Sequence, residues 1–228
     1  MKPSSSYAHG IDLCLDRPLE GLSSSIIMGL AKEAFGEEPV NLELLSFAKP
    51  EFRERGENFE AISELLRAGN ARAIPWLKGL KYRVRNLVET FDWEPGPGRN
   101  TKVYFILLCP DGISGAPRPW GLYVGQTSRK IEVRLSQHLD KGHRLRSRQV
   151  TRRGWGLLYS VCELAPTMKR KDALQFEKLV LSSLRGEGEG GPLRSLPPGR
   201  VIGGLHVGFV HHLVVFFDVD FNGHQCRR

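Results

Sequence analysis

The chain has 228 residues, 40% of them hydrophobic, which suits one moderate domain or a domain with an extension and is enough for a real core. The formal net charge of +8 is uneven: residues 1–97 hold 12 Lys and Arg against 15 Asp and Glu, and residues 98–228 hold 21 against 10, so nucleic acid is expected to meet the C-terminal part unless its basic face is merely solvated. No window reaches the roughly 18 apolar residues of a membrane helix, the opening MKPSSSYAHG lacks an apolar signal core, and Cys14, Cys109, Cys162 and Cys226 form no CxxC pair, so a cytoplasmic protein with reduced thiols is expected, not a secreted or zinc-bound one.

Residues 1–18 show little periodicity. Apolar residues at helical spacing (Ile26, Ile27, Leu30, Ala31, Ala34) predict a helix over Leu22–Phe35. Ile62, Leu65 and Leu66 predict a second over Phe59–Ala68. Leu77, Leu80, Val84, Leu87 and Val88 share one face and predict a third from Trp76 to Val88, after Pro75. The tract DWEPGPGRN (92–100) breaks either kind of element and is taken as a boundary. Residues 1–97 then form a helical N-terminal region without an assigned role, and residues 98–228 a second domain.

There the texture changes. KVYFILLC (102–109) is a β-branched and aromatic run, expected as a buried strand; PDGISGAPRP (110–119) is a loop; WGLYVGQ (120–126) is a second strand, antiparallel to the first. Ser128 is placed to cap a helix reaching Leu139, with Ile131, Leu135 and Leu139 as its apolar stripe. GWGLLYSVCEL (154–164) predicts a third strand and RKDALQFEKLVLSSLR (170–185) a strongly periodic helix. GEGEGGPLRSLPPG (186–199) is a glycine-rich connection, and 201–221 is a β-prone extension.

Several side chains on these elements can carry chemistry. Arg134 and His138 stand four residues apart, so a helix puts them on one face. Arginine holds phosphate in a planar fork and histidine moves protons near neutral pH; a solvated pair on an amphipathic helix is the alternative. Glu177 shares its face with Ala173, Leu174, Leu181 and Leu184. A carboxylate there is costly unless it binds a metal or pairs with a neighbour such as Lys178 or Arg170. The run KGHRLRSRQVTRR (141–153) brings Lys141, Arg144, Arg146, Arg148, Arg152 and Arg153 together, as a track for a phosphate backbone or as a solvated loop. His206, His211 and His212 lack an acidic or cysteine partner at ligand spacing, so no metal is assigned to them.

Tyr104 in the first strand, YVGQTS (123–128) in the second, RLSQH (134–138) on the next helix and Glu177 on the last follow one another in the order strand, strand, helix, strand, helix. This set resembles the GIY-YIG nuclease superfamily over about residues 102–206, with VYF and YVG standing for the two halves of the name. LQFEKLVLSSLR and VIGGLH look like the tail of a bacterial group within it. The resemblance implies an α+β fold, a small three-stranded antiparallel sheet flanked by helices. It implies metal-dependent cleavage of DNA phosphodiester bonds, with Mg²⁺ or Mn²⁺. By motif position Tyr104 and Tyr123 are the paired tyrosines, Arg134 the phosphate-binding arginine, His138 the nearby histidine and Glu177 the metal ligand. Which tyrosine is the base stays open, and His138 either orients a tyrosine or relays its proton.

One hard cation can polarise a phosphate while keeping most of its waters, so a single carboxylate suffices. A phenol accepts the proton of the attacking water if a nearby cation favours its ionised form. Gly125 is expected to allow close backbone approach, and Gln126 and Thr127 to hydrogen-bond phosphate or the tyrosines. A DNA-binding module of the same fold without hydrolysis, or a protein-interaction module, is the competing reading. Dimerisation and a protein partner are both open for residues 1–97.

Overall fold

The computed structural model describes residues 10–68, 73–94, 96–109, 120–185, 199–202 and 213–217. The readings made above for 1–9, for the loop 110–119, for 186–198, for most of 201–221, for His206, His211 and His212, and for Cys226 lie outside them. The chain divides into two compact units, and the division falls between Lys81 and Tyr82, upstream of the boundary at 92–100 that the sequence suggested.

Four helices open the chain: α1 (Ser24–Gly36), α2 (Leu42–Glu54), α3 (Glu60–Ala68) and α4 (Leu77–Thr90). The oxygen of Ser23 caps α1 by accepting from the Ile26 N–H, and Asn41 caps α2 by accepting from the Leu44 N–H. Helix α2 was not picked out from the sequence, because Pro50 and five charged residues interrupt its apolar pattern. Its buried face nevertheless includes Leu42, Leu45, Ala48 and Phe52, which join Ile27, Leu30, Ala31 and Ala34 of α1 in one core. Glu51 is also buried there, held between Arg17 and Arg55 at 2.8 Å each. Burial alone would raise its carboxyl; the two guanidinium hydrogen bonds outweigh that and hold it below the usual value.

The second unit is built on an antiparallel sheet in the order β3-β1-β2-β5-β4. Its first part is the expected three-stranded core: β1 (Lys102–Leu108), β2 (Gly121–Thr127) and β3 (Gly154–Leu157). Strands β4 (Gly199–Ile202) and β5 (Leu213–Phe217) extend it beyond β2. Between β2 and β3 lie helix α5 (Ile131–Leu139) and the short α6 (Arg148–Arg153); α7 (Tyr159–Cys162) and α8 (Arg170–Arg185) follow β3. Strand β1 is buried from Val103 to Leu108. Its central place in the three-stranded core, with α5, α7 and α8 packed on it, explains that continuous burial.

Three local expectations are corrected. Strand β3 ends at Leu157 and does not run to residue 164. The Phe105 carbonyl accepts instead from the Leu158 N–H, and the Phe105 N–H donates to Cys162 Sγ, so the chain turns into α7 where the ladder would continue. Helix α5 starts at Ile131 without a side-chain cap, and Ser128 lies before it. The turn ahead of α5 is made by Thr127, whose hydroxyl accepts from the Arg129 N–H at 3.0 Å. Finally, the last part of the basic run is helix α6, not loop. Among the described residues no helix is long and apolar enough to cross a membrane.

Candidate active site

The site grows from the register of β1 and β2. Tyr104 lies opposite Gly125, and Ile106 opposite Tyr123. Side chains alternate along a strand, so Tyr104, Gly125 and Tyr123 share one face of the sheet. Both tyrosines are fully buried and their ring centroids are 6.1 Å apart. Gly125 is what lets them meet. A Cβ there would stand 2.7 Å from the Tyr104 hydroxyl and 3.1 Å from Tyr123 Cε1. The close approach expected at Gly125 is thus made by the tyrosine rings.

Helix α5 closes over this face. Its buried residues are Ile131, Arg134, Leu135 and His138, while Leu139, expected in the apolar stripe, is 40% exposed. The helix is rotated so that an arginine and a histidine face inward at the expense of a leucine. His138 is fully buried. Its Nε2 lies 2.8 Å from the Tyr104 hydroxyl and 3.5 Å from that of Tyr123. Its Nδ1 accepts the backbone N–H of Ser147 at 2.8 Å. A ring nitrogen that accepts carries no proton, so the neutral imidazole holds its proton on Nε2 and donates it to Tyr104.

The Tyr104 oxygen therefore collects donors. Besides His138, Tyr123 and Arg134 hydrogen-bond to it. Burial raises the Tyr104 phenol, the Arg134 charge and the hydrogen bonds from Tyr123 and Arg134 oppose the rise, and the group ends at about 12. Tyr123 is raised as well: burial, the neighbouring Tyr104 and the hydrogen bond it shares with Tyr104 all push it up. Of the two phenols, Tyr104 has the nearer His138 donor, 2.8 Å against 3.5 Å. Arg134 also reaches Gln137 Oε1 at 3.3 Å.

Glu177 completes the cluster from α8. It is 2% exposed, and its Oε1 is fully buried without a hydrogen-bond partner. Burial lifts its carboxyl to about 8, with Lys178 a weaker opposing influence. Its charge raises both tyrosines, which places it in their electrostatic reach. No ion pair with Lys178 or Arg170 holds it. An orphaned, buried carboxylate oxygen suits a cation ligand. Among the described residues no group of three or more His, Cys, Asp or Glu is gathered for a metal, so such an ion would keep most of its waters.

The outer residues separate. Thr127 is on the tyrosine face and buried, committed to the turn described above. Gln126 alternates to the opposite face, with Val103 as its cross-strand partner, and is not brought to the cluster. Lys141, Arg144, Arg146, Arg148 and Arg152 are exposed. Arg153 is not: it is 2% exposed, its Nε donates to the Cys109 carbonyl at 2.8 Å, and the Cys109 N–H returns to its own carbonyl. It ties α6 to the end of β1 and is buried there, unlike the exposed cations of the same run.

Two residues missed in the sequence hold the histidine. Ser147 does so through its backbone N–H, and the Thr151 hydroxyl donates to the His138 carbonyl at 2.6 Å. A backbone contact leaves no mark on residue type; Thr151 gave a weak one, a β-branched hydroxyl amid basic residues. Compared with protein-family profiles, with curated proteins and with solved structures, the chain matches none.

Proposed function

We propose that this protein is a metal-dependent endonuclease of GIY-YIG type that hydrolyses DNA phosphodiester bonds. One observation carries the reading: Tyr104, Tyr123, Arg134, His138 and Glu177, drawn from four separate elements, fall into one buried cluster. A packing core has no use for five ionisable groups at one spot, each costly to bury in its charged form.

In this reading Tyr104 takes the proton of the attacking water. Before that transfer Tyr104 is a phenolate, its negative charge held by His138 Nε2–H, Tyr123 O–H and the Arg134 guanidinium, and the transfer leaves it a neutral phenol. His138 keeps its own proton throughout and orients Tyr104. Arg134 grips the scissile phosphate with the part of its fork not turned to Tyr104. Glu177 would hold a Mg²⁺ or Mn²⁺ ion, which supplies Lewis-acid stabilisation of the phosphate and the leaving oxygen when bound. The basic stretch 141–152 carries the flanking backbone.

The test is nicking of supercoiled plasmid in Mg²⁺, in Mn²⁺ and in EDTA, beside the Glu177→Ala protein. Metal-dependent nicking lost in the variant supports the reading; nicking that persists in the variant at the wild-type rate sinks it. A DNA-binding module without hydrolysis has one observation in its favour, the Glu177 carboxyl near 8, which leaves it mostly protonated at neutral pH. That reading requires a salt-sensitive gel shift with no nicking in either metal.

A further inference from the structure

The segment between α5 and α6 is not an ordinary solvated loop. Asp140 Oδ1 accepts the Gly142 N–H at 2.8 Å, and the Asp140 carbonyl accepts the His143 N–H. His143 Nδ1 accepts the Leu145 N–H, the His143 carbonyl accepts the Arg146 N–H, and the Arg146 guanidinium closes on the Lys141 carbonyl. Two successive turns are thereby fixed, and their tip is Arg144, Leu145 and Arg146, all exposed. Leu145 is 53% exposed although each neighbour in the chain is a long cation that could shade it. The far end of the segment is anchored to the active site, since the Ser147 N–H holds His138 Nδ1.

We propose that the turn 140–147 is a duplex-reading element that presses Leu145 into a base step of DNA beside the Tyr104 cluster. The proposal rests on the nuclease reading above and names its substrate class, duplex DNA deformed at the cleaved step. An apolar tip between two arginines is complementary to a duplex and to little else of the same charge: the guanidiniums meet phosphates on either side while the leucine meets unstacked base faces. A preformed turn does this without losing chain entropy on binding. Its anchor on His138 puts the distorted step within a short span of the groups that cut.

A wedge of this kind unwinds DNA, and unwinding is measurable without knowing the cleaved sequence. Relaxed closed-circular plasmid is incubated with the protein in EDTA, which withholds the metal, together with a type IB topoisomerase, and the topoisomers are resolved after deproteinisation. The wild-type protein is expected to shift the distribution in proportion to protein bound. Leu145→Ala is expected to leave the distribution where topoisomerase alone leaves it, while its affinity stays within about threefold, since the arginines that neutralise phosphates remain. An equal shift by Leu145→Ala overturns the proposal. So does plasmid nicking in Mg²⁺ by a wild-type protein that shifts no topoisomers, which leaves the nuclease reading intact. A Leu145-dependent shift with no nicking in any metal overturns the nuclease reading and keeps the wedge. Leu145-dependent binding to anionic lipid vesicles, with plasmid topology untouched, overturns the wedge in favour of a membrane surface.

Discussion

The Tyr104 hydroxyl lies 2.8 Å from Nε2 of His138, and both residues are fully buried. Because the Ser147 N–H occupies Nδ1, the histidine is a donor in this pair and the tyrosine oxygen an acceptor. Tyr104→Phe removes that acceptor without changing the ring's shape. It should lower the cleavage rate by at least about 10²-fold. It should also cost about 1–2 kcal/mol, since the donors of His138 and Tyr123 lose a buried partner. Single-turnover cleavage and chemical denaturation measure the two effects. Tyr123→Phe should fold equally well and cleave more slowly than wild type, but faster than Tyr104→Phe.

The same geometry predicts how activity follows pH. Arg134 opposes the rise that burial imposes on the Tyr104 phenol. Arg134→Gln removes that charge, so Tyr104 should ionise only at higher pH. The rising limb of the pH–rate profile should move to more alkaline values, besides an overall loss from the missing phosphate fork. Arg134→Lys should restore the position of the limb more than the rate. A limb that does not move in Arg134→Gln would remove Tyr104 from the role of base.

Glu177 makes stability itself pH-dependent. Its carboxyl is lifted from 4.5 to about 8 by burial, so the folded chain keeps a proton that the unfolded chain releases. The contribution of this group is fully present below its unfolded value and is lost as pH rises through about 8. Glu177→Gln cannot ionise. It should gain roughly 2–4 kcal/mol over the wild type at pH 9 and nothing at pH 4, read by denaturant titration. Mg²⁺ or Mn²⁺ should raise the melting temperature of the wild type at pH 9 and leave that of Glu177→Gln unchanged, because only the ionised carboxylate is a ligand.

Gly125→Ala tests the packing of the two tyrosines. The added methyl would fall 2.7 Å from the Tyr104 hydroxyl and 2.9 Å from its Cζ. Two buried rings have little room to yield, so a loss of about 1–3 kcal/mol is expected. Activity should fall further than stability, since Tyr104 is pushed off His138.

The arginines of the basic stretch should divide into two kinds. Arg148 is exposed, and Arg148→Ala should weaken DNA binding at all sequences and lower the salt slope by about 0.9 without changing the melting temperature. Arg153 is buried on the Cys109 carbonyl. Arg153→Ala should leave the salt slope alone and cost about 1–3 kcal/mol of stability. Titrations at several salt concentrations, paired with thermal melts, tell the two apart.

The sequence by itself determined the order of the elements and the residue types they carry. Period-two and period-3.6 patterns are local, so β1, β2 and α8 could be placed within a residue or so; Tyr104, Tyr123, Arg134, His138 and Glu177 could be named as a set only through the motif resemblance, not from periodicity. Where local pattern and tertiary contact disagreed, the pattern failed. Strand β3 stops at Leu157 because Leu158 and Cys162 take the hydrogen bonds of Phe105, a residue far away in the chain. Helix α5 exposes Leu139 and buries His138 because the open side of the sheet beneath it is lined by two tyrosine hydroxyls. Burial, desolvation and the direction of a hydrogen bond belong to pairs of segments brought together by folding. Only the tertiary structure, therefore, decided that His138 Nε2 donates to Tyr104, that Glu177 lies buried without a partner for Oε1, and that Arg153 braces the fold while its neighbours face outward.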